Sequence, residues 1–139
     1  MKDAIDLIGR IFISFLFLFE AYDSIKYFGA TKETMLDYGI SNHQNFLLYA
    51  SIGLLILGGS LVLIGYRSSF GAVLLLLYWI PVTFIVHSFW NDMPSIQRTE
   101  SIQFMKNLAI MGGLFIVLVN GSGRYSVRRL FATARVPGA

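Results

Sequence analysis

The chain has 139 residues, of which 55% are apolar and 14% charged, with no cysteine and a formal net charge of +3. Soluble domains carry about 25% charge, and a chain this short has too much surface for its volume to hide so many Leu, Ile and Phe in one core. The composition points to lipid, and it excludes a disordered chain, a collagen-like repeat, a disulfide-stapled module and any thiol or iron–sulfur chemistry.

Four apolar segments follow one another, at residues 5–28, 46–65, 70–90 and 103–120. At about 1.5 Å rise per residue, each is long enough to cross a hydrocarbon layer of about 30 Å. Backbone amides find no water in that layer, so segments of this length are expected to be helices; barrel strands need only about 10 residues. The expected fold is all-α, one integral membrane four-helix bundle spanning residues 1–139.

The first segment begins with Lys2 and Arg10 ahead of a run of Phe and Leu, as signal peptides do. Glu20 and Asp23 interrupt the run, and no small-residue cleavage site precedes a mature domain, so it is read as a membrane helix. Residues 30–45 follow, with a helix-start pattern at Thr31 to Glu33, a break at Gly39 and a turn signal at Ser41 and Asn42. They predict a short helix at the interface. Only Tyr66, Arg67, Ser68 and Ser69 separate the second and third segments, which forces an antiparallel helical hairpin. Pro81 removes the backbone hydrogen bond to the Leu77 carbonyl and predicts a kink. Residues 91–102, with Pro94 among them, are expected to be a loop. Gly121, Ser122 and Gly123 end the fourth segment; no strand precedes them and no Lys-Ser/Thr pair follows, so they are not a phosphate loop. Gly53, Gly58, Gly59 and Ser60 on the second segment, with Ala109, Gly112 and Gly113 on the fourth, are expected where helices approach closely.

Four crossings would put both termini on one side. That side holds Lys2, Arg10, Arg67, Arg124, Arg128, Arg129 and Arg135 against Asp3 and Asp6. The other holds Lys26, Lys32, Arg98 and Lys106 against Glu20, Asp23, Glu33, Asp37, Asp92 and Glu100. An excess of Lys and Arg marks the cytoplasmic side, so both termini are expected in the cytoplasm and the two longer loops outside. The Arg cluster past the last segment is expected to meet anionic lipid headgroups rather than nucleic acid, and Arg10 to snorkel to the same surface.

Ionisable residues inside membrane segments are costly and therefore candidates for function. Glu20, Asp23 and Lys26 from the first segment, His87 and Trp90 from the third, and Lys106 and Asn107 from the fourth fall at one depth, in the outer third of the bilayer. Leu16, Glu20, Asp23 and Tyr27 share a helix face, expected to turn inward. Two readings fit. Glu20 or Asp23 pairs with Lys106 or Lys26 and locks the bundle, or these residues line an outward-facing pocket where Glu20 and His87 handle protons or hold the polar head of an apolar ligand. Tyr78, Trp79, Phe84 and Phe89 read as core and interfacial belt. No metal or haem is expected, because only His43 and His87 offer imidazole and no two ligands stand at metal-site spacing. No residue is assigned a catalytic role.

Phe104-Met105-Lys106-Asn107-Leu108-Ala109-Ile110-Met111-Gly112-Gly113, then Gly121-Ser122-Gly123-Arg124-Tyr125-Ser126, resembles the signature of the DoxX family of small four-helix membrane proteins. His87-Ser88-Phe89-Trp90, Arg10 and Lys26 add to the likeness. The resemblance implies a multi-pass protein of the bacterial cytoplasmic (inner) membrane with its longer loops in the periplasm. Members of the wider group resemble membrane subunits of thiosulfate:quinone oxidoreductase, and others occur in oxidoreductase assemblies or as assembly chaperones. The function expected is a redox-linked subunit that binds a quinone or similar amphipathic ligand, with Glu20, His87 and Lys106 bonding a quinone oxygen or relaying its protons. Nothing in the chain carries electrons, so they are expected from a membrane or periplasmic redox partner. The alternative is a non-enzymatic assembly or scaffold partner of another membrane protein. A solute transporter fits least, since four helices without a repeat make a poor pathway short of a homo-oligomer.

Overall fold

The computed structural model describes residues 1–134; Arg135, grouped above with the basic tail, lies outside them. In chain order the elements are α1 (Lys2–Lys26), α2 (Phe28–Asp37), α3 (Gln44–Ile64), α4 (Ser68–Val86), a 3-10 turn (Phe89–Asn91), α5 (Pro94–Asn120) and α6 (Val127–Ala134). No strand occurs among the described residues.

Two boundaries differ from those expected. The chain breaks at Tyr27, so α2 starts at Phe28 rather than at Thr31. Thr31 and Thr34 sit inside α2, their hydroxyls donating to the Tyr27 and Ala30 carbonyls. The larger correction concerns residues 91–102. Most of that stretch is helix, because α5 begins at Pro94. Proline in a first helical turn has no N–H to lose and its fixed φ suits the start, so Pro94 opens a helix instead of marking a loop.

Three helices are long and apolar enough to cross a membrane: Gln44–Ile64, α4 continued to Asn91, and Pro94–Asn120. In α1, Arg10, Glu20 and Asp23 interrupt a stretch of similar length. Only 33% of the Gln44–Ile64 span is buried inside the protein. Phe12, Phe15, Phe46, Leu77, Ile116 and Val119 face outward. Helices that are apolar on every face suit a lipid surround.

α3 packs between α1 and α4, α4 packs between α3 and α5, and α5 returns to α1 along a thin seam. Phe17, Leu55, Val62, Leu75, Trp79, Met111 and Leu114 fill the centre. Glycine sets the spacing of α3 and α4. A Cβ on Gly58 would lie 2.8 Å from Leu75 Cγ, and one on Gly71 would lie 2.9 Å from the Gly58 carbonyl oxygen. Gly59 meets Leu18 and Gly113 meets Ile13 in the same way. Gly53 and Gly112, expected at close contacts, face open space, and Ala109 is exposed.

Arg10 does not snorkel. It is 1% exposed and held on all sides. Its Nε donates to Asp6 Oδ2 at 2.9 Å, Nη1 donates to the Val62 and Leu63 carbonyls at 3.2 and 3.3 Å, and Nη2 donates to the Tyr125 carbonyl. The Val62 and Leu63 carbonyls belong to the last turn of α3, where no intrahelical donor reaches. A cation there also complements the helix dipole. Gly65 ends α3 with φ +74, and a Cβ there would lie 2.7 Å from Arg10 Nη1. The chain after α5 closes the knot: Ser122 Oγ donates to the Gly65 carbonyl at 2.7 Å, Ser68 Oγ donates to Ser122 at 3.0 Å, and the Gly123 N–H donates to Asp6 at 3.2 Å.

Two predictions follow from this packing. Gly71→Leu lowers stability in mild detergent by about 1–3 kcal/mol because backbone blocks the new side chain, whereas Gly53→Leu stays within about 0.5 kcal/mol; thermal unfolding measures both. Arg10→Leu leaves Asp6 with the Gly123 N–H alone, orphans three carbonyls and costs about 3 kcal/mol. In the same variant trypsin cuts at Arg124 and Arg128 sooner than in wild type, read by timed digestion.

Candidate functional site

A cavity of about 620 Å³ lies at the end of the molecule away from the Arg10 knot, enclosed by α1, α2, α3 and α4. α1 supplies Glu20, Asp23 and Ser24; α2 and the turn after it supply Thr31, Thr34, Met35 and Tyr38. Leu47, Ser51 and Leu54 of α3 form an apolar wall broken by one hydroxyl. From α4, Tyr78, Pro81, Val82 and Ile85 line it at helical spacing, so the proline forms part of the wall. Asn107 of α5 reaches the floor.

The buried stripe of α1 is Arg10, Ser14, Phe17, Ala21 and Ser24. Glu20 and Asp23 stand at its edge, half-buried, so the acidic face borders the core without forming it. The Tyr78 hydroxyl donates to Glu20 Oε1 at 3.4 Å, a long bond. Below it, Trp79 packs edge-on to Phe17 at 5.0 Å and donates its indole N–H to the Asn107 carbonyl at 3.3 Å. Thr83 Oγ1 donates to the Trp79 carbonyl at 2.7 Å and accepts from Asn107 Nδ2 at 3.2 Å. Asn107 is 7% exposed, and this chain of bonds holds it. Buried amides need such partners, since an unmet donor costs about 1–3 kcal/mol.

His87 caps the C-terminus of α4 and lines the cavity rim. Its Nδ1 lies 2.7 Å from Glu100 Oε2 on α5, the carboxylate accepting. Tyr38 stands at the same rim. Burial, then the Glu100, Asp92 and Asp37 charges, push its hydroxyl above the usual tyrosine range, so it remains a donor at neutral pH.

Of the seven candidates from sequence, Glu20, Asp23, His87 and Asn107 line this cavity. The other three do not. Lys26 is exposed, its Nζ 5.8 and 5.2 Å from the Tyr22 and Tyr27 ring centroids. Trp90 joins Phe84 and Phe89 around Phe104, at centroid distances of 5.4 to 5.7 Å, and fixes the 3-10 turn to α5. Lys106 is exposed, about 100° around the helix from Asn107. The expected lock between Glu20 or Asp23 and Lys106 or Lys26 does not form; the ion pairs among the described residues are Arg10–Asp6 and His87–Glu100. No group of three His, Cys, Asp or Glu able to hold a metal occurs among them.

Sequence reasoning missed Tyr78, Ser24, Tyr38 and Glu100. Tyr78, Pro81, Val82 and Ile85 repeat at i, i+3, i+4 and i+7, a signal hidden by an α4 that is apolar all round. Glu100, Phe104, Asn107 and Met111 follow the same rule once α5 is extended back to Pro94.

A family model described as DoxX matches residues 5–88, from the first turns of α1 to just past the end of α4. Inner membrane protein YqjF of Escherichia coli (strain K12) is 28% identical over 130 residues, which cover 94% of each chain. No solved structure matches. With more than half its length in the family model and three helices fit to span a bilayer, the chain is a multi-pass protein of the bacterial inner membrane and belongs to the DoxX family.

Proposed function

We propose that the cavity between α1, α2, α3 and α4 binds a quinone or similar amphipathic molecule, and that the protein serves as a redox-linked membrane subunit. The observation that carries this reading is a cavity whose lining combines apolar side chains with hydrogen-bonding groups. Leu47, Leu54, Pro81 and Ile85 suit a ring and tail. Among them, Tyr78 and Ser24 offer hydroxyl donors and Asn107 an amide, the groups a carbonyl oxygen needs.

A bound quinone supplies a two-electron, two-proton couple. Glu20, next to Tyr78, is placed to hold or release a proton in the cavity, and His87 with Glu100 to exchange one at the rim. Lys106, exposed and outside the cavity, has no part in this. Electrons come from a partner protein, because no residue here carries them.

The reading includes four crossings with both termini cytoplasmic and the cavity open toward the periplasm. The burial of Arg10 against Asp6, with Glu20 turned to the cavity, supports α1 as the fourth crossing, because these charges then avoid lipid. Phe12, Phe15 and Phe19 present its outward face. The lysine and arginine bias sets the direction.

The test is mass spectrometry of organic extracts from protein purified gently out of its own membranes, with proteomics on the same sample. Wild type retains quinone near one per chain. Tyr78→Phe, which removes one donor, retains about fivefold less at equal stability, and Glu20→Gln also loses ligand. A sample without quinone in which one membrane protein recurs at equal amounts overturns the reading and makes the chain an assembly or scaffold subunit.

A further inference from the structure

At the opposite end, α6 folds back across the ends of α1 and α3 and encloses a groove of about 770 Å³. Leu7, Leu63 and Ile64 form its apolar floor, and Arg124 and Arg129 stand among its lining. We infer that this groove seats one anionic phospholipid, the phosphate held by Arg124 and Arg129 and the acyl chains laid on the α1–α3 seam.

Charge carries the first part of the argument. Asp6, the carboxylate bound at this end, is taken by Arg10, and neither Arg124 nor Arg129 forms an ion pair among the described residues. Arginine's planar guanidinium suits phosphate, and two of them exceed what a neutral headgroup needs.

Shape carries the second part. Val127, Leu130, Phe131 and Ala134 follow i, i+3, i+4, i+7 along one face of α6, and Arg128 and Arg129 lie on the other. Leu130 and Phe131 are 69% and 62% exposed, which suits the plane of a bilayer surface. A nucleic acid would satisfy the arginines and leave both side chains in water.

The groove is also preformed. The bond from Arg10 to the Tyr125 carbonyl fixes the backbone between Arg124 and Ser126, and Phe131 packs on Tyr66 at 6.4 Å. Ile64, in the floor, is 47% exposed and offers an apolar surface at the groove's edge where acyl chains can run. The inference depends on the chain lying in a bilayer and not on what fills the cavity of the proposed function.

Native mass spectrometry of the full chain in mild detergent, titrated with phosphatidylglycerol or phosphatidylcholine of matched chains, tests it. Wild type retains one phosphatidylglycerol in preference to phosphatidylcholine. Arg124→Gln and Arg129→Gln each weaken this about fivefold and together about thirtyfold, the loss expected for basic side chains at a membrane surface. The double lysine variant, which keeps the charge and loses the planar fork, binds more than the double Gln variant and less than wild type, and Arg98→Gln, at the other end, keeps all of the binding. Unchanged retention in a stable double Gln variant overturns the inference, as does equal retention of phosphatidylcholine. Displacement of the lipid by millimolar inorganic phosphate overturns it too, and makes the groove a site for a soluble anion.

Discussion

The buried guanidinium of Arg10 is the constraint on which one half of the molecule depends. Removing an ion of this size from water costs several kcal/mol, and only a full set of partners offsets it. Here the partners come from three places in the chain: Asp6 one turn away, the open carbonyls ending α3, and the Tyr125 carbonyl beyond α5. The knot therefore fixes how α1 meets α3 and where the chain goes after α5. Two glycines follow from it. Gly65 leaves room for Nη1, and a Cβ on Gly123 would collide with the Asp6 carboxylate.

Close packing continues from the knot along α3 and α4 through Gly58 and Gly71, and then stops. Toward the other end the wall residues are Leu47, Ser51 and Leu54 on one side and Pro81, Val82 and Ile85 on the other, with space between them. α2 covers that space with few contacts to its neighbours. In lipid, helices gain nothing by squeezing out water, so the tight end is held by dispersion at glycines and by hydrogen bonds. At the cavity end Gly53 faces open space, and no such glycine contact draws the walls together.

Much of this architecture was legible in the sequence. The apolar runs located the long helices, and Tyr66 to Ser69 located the hairpin. The error at Pro94 came from reading proline as a breaker when its position before a periodic run made it a helix start. Arg10 was misread because snorkelling is the usual fate of a lone arginine near a membrane surface, and its carbonyl partners lie 52 to 115 residues away. Of the residues grouped by depth, Glu20, His87 and Asn107 line the cavity and Lys106 does not. A shared depth says nothing about rotation around a helix, and one residue of offset turned Lys106 outward. The family likeness was first carried by the fourth segment, whereas the family match lies on residues 5–88, the part that builds the knot's first half and nearly all of the cavity.

The two ends of the molecule thus divide its work by chemistry. At the Arg10 end polar groups are bonded to one another, and the groups that remain free are cations beside an apolar groove. At the Glu20 end the network of Trp79, Thr83 and Asn107 is also bonded, but Glu20 itself holds only the long 3.4 Å contact from Tyr78, and it faces the cavity beside apolar side chains. A fully bonded network resists change, whereas a single long bond such as that from Tyr78 to Glu20 can exchange its partner for a ligand at low cost. The same helices α1, α3 and α4 run through both ends. The knot, which fixes how α1 meets α3, thereby also sets how those two helices approach the cavity.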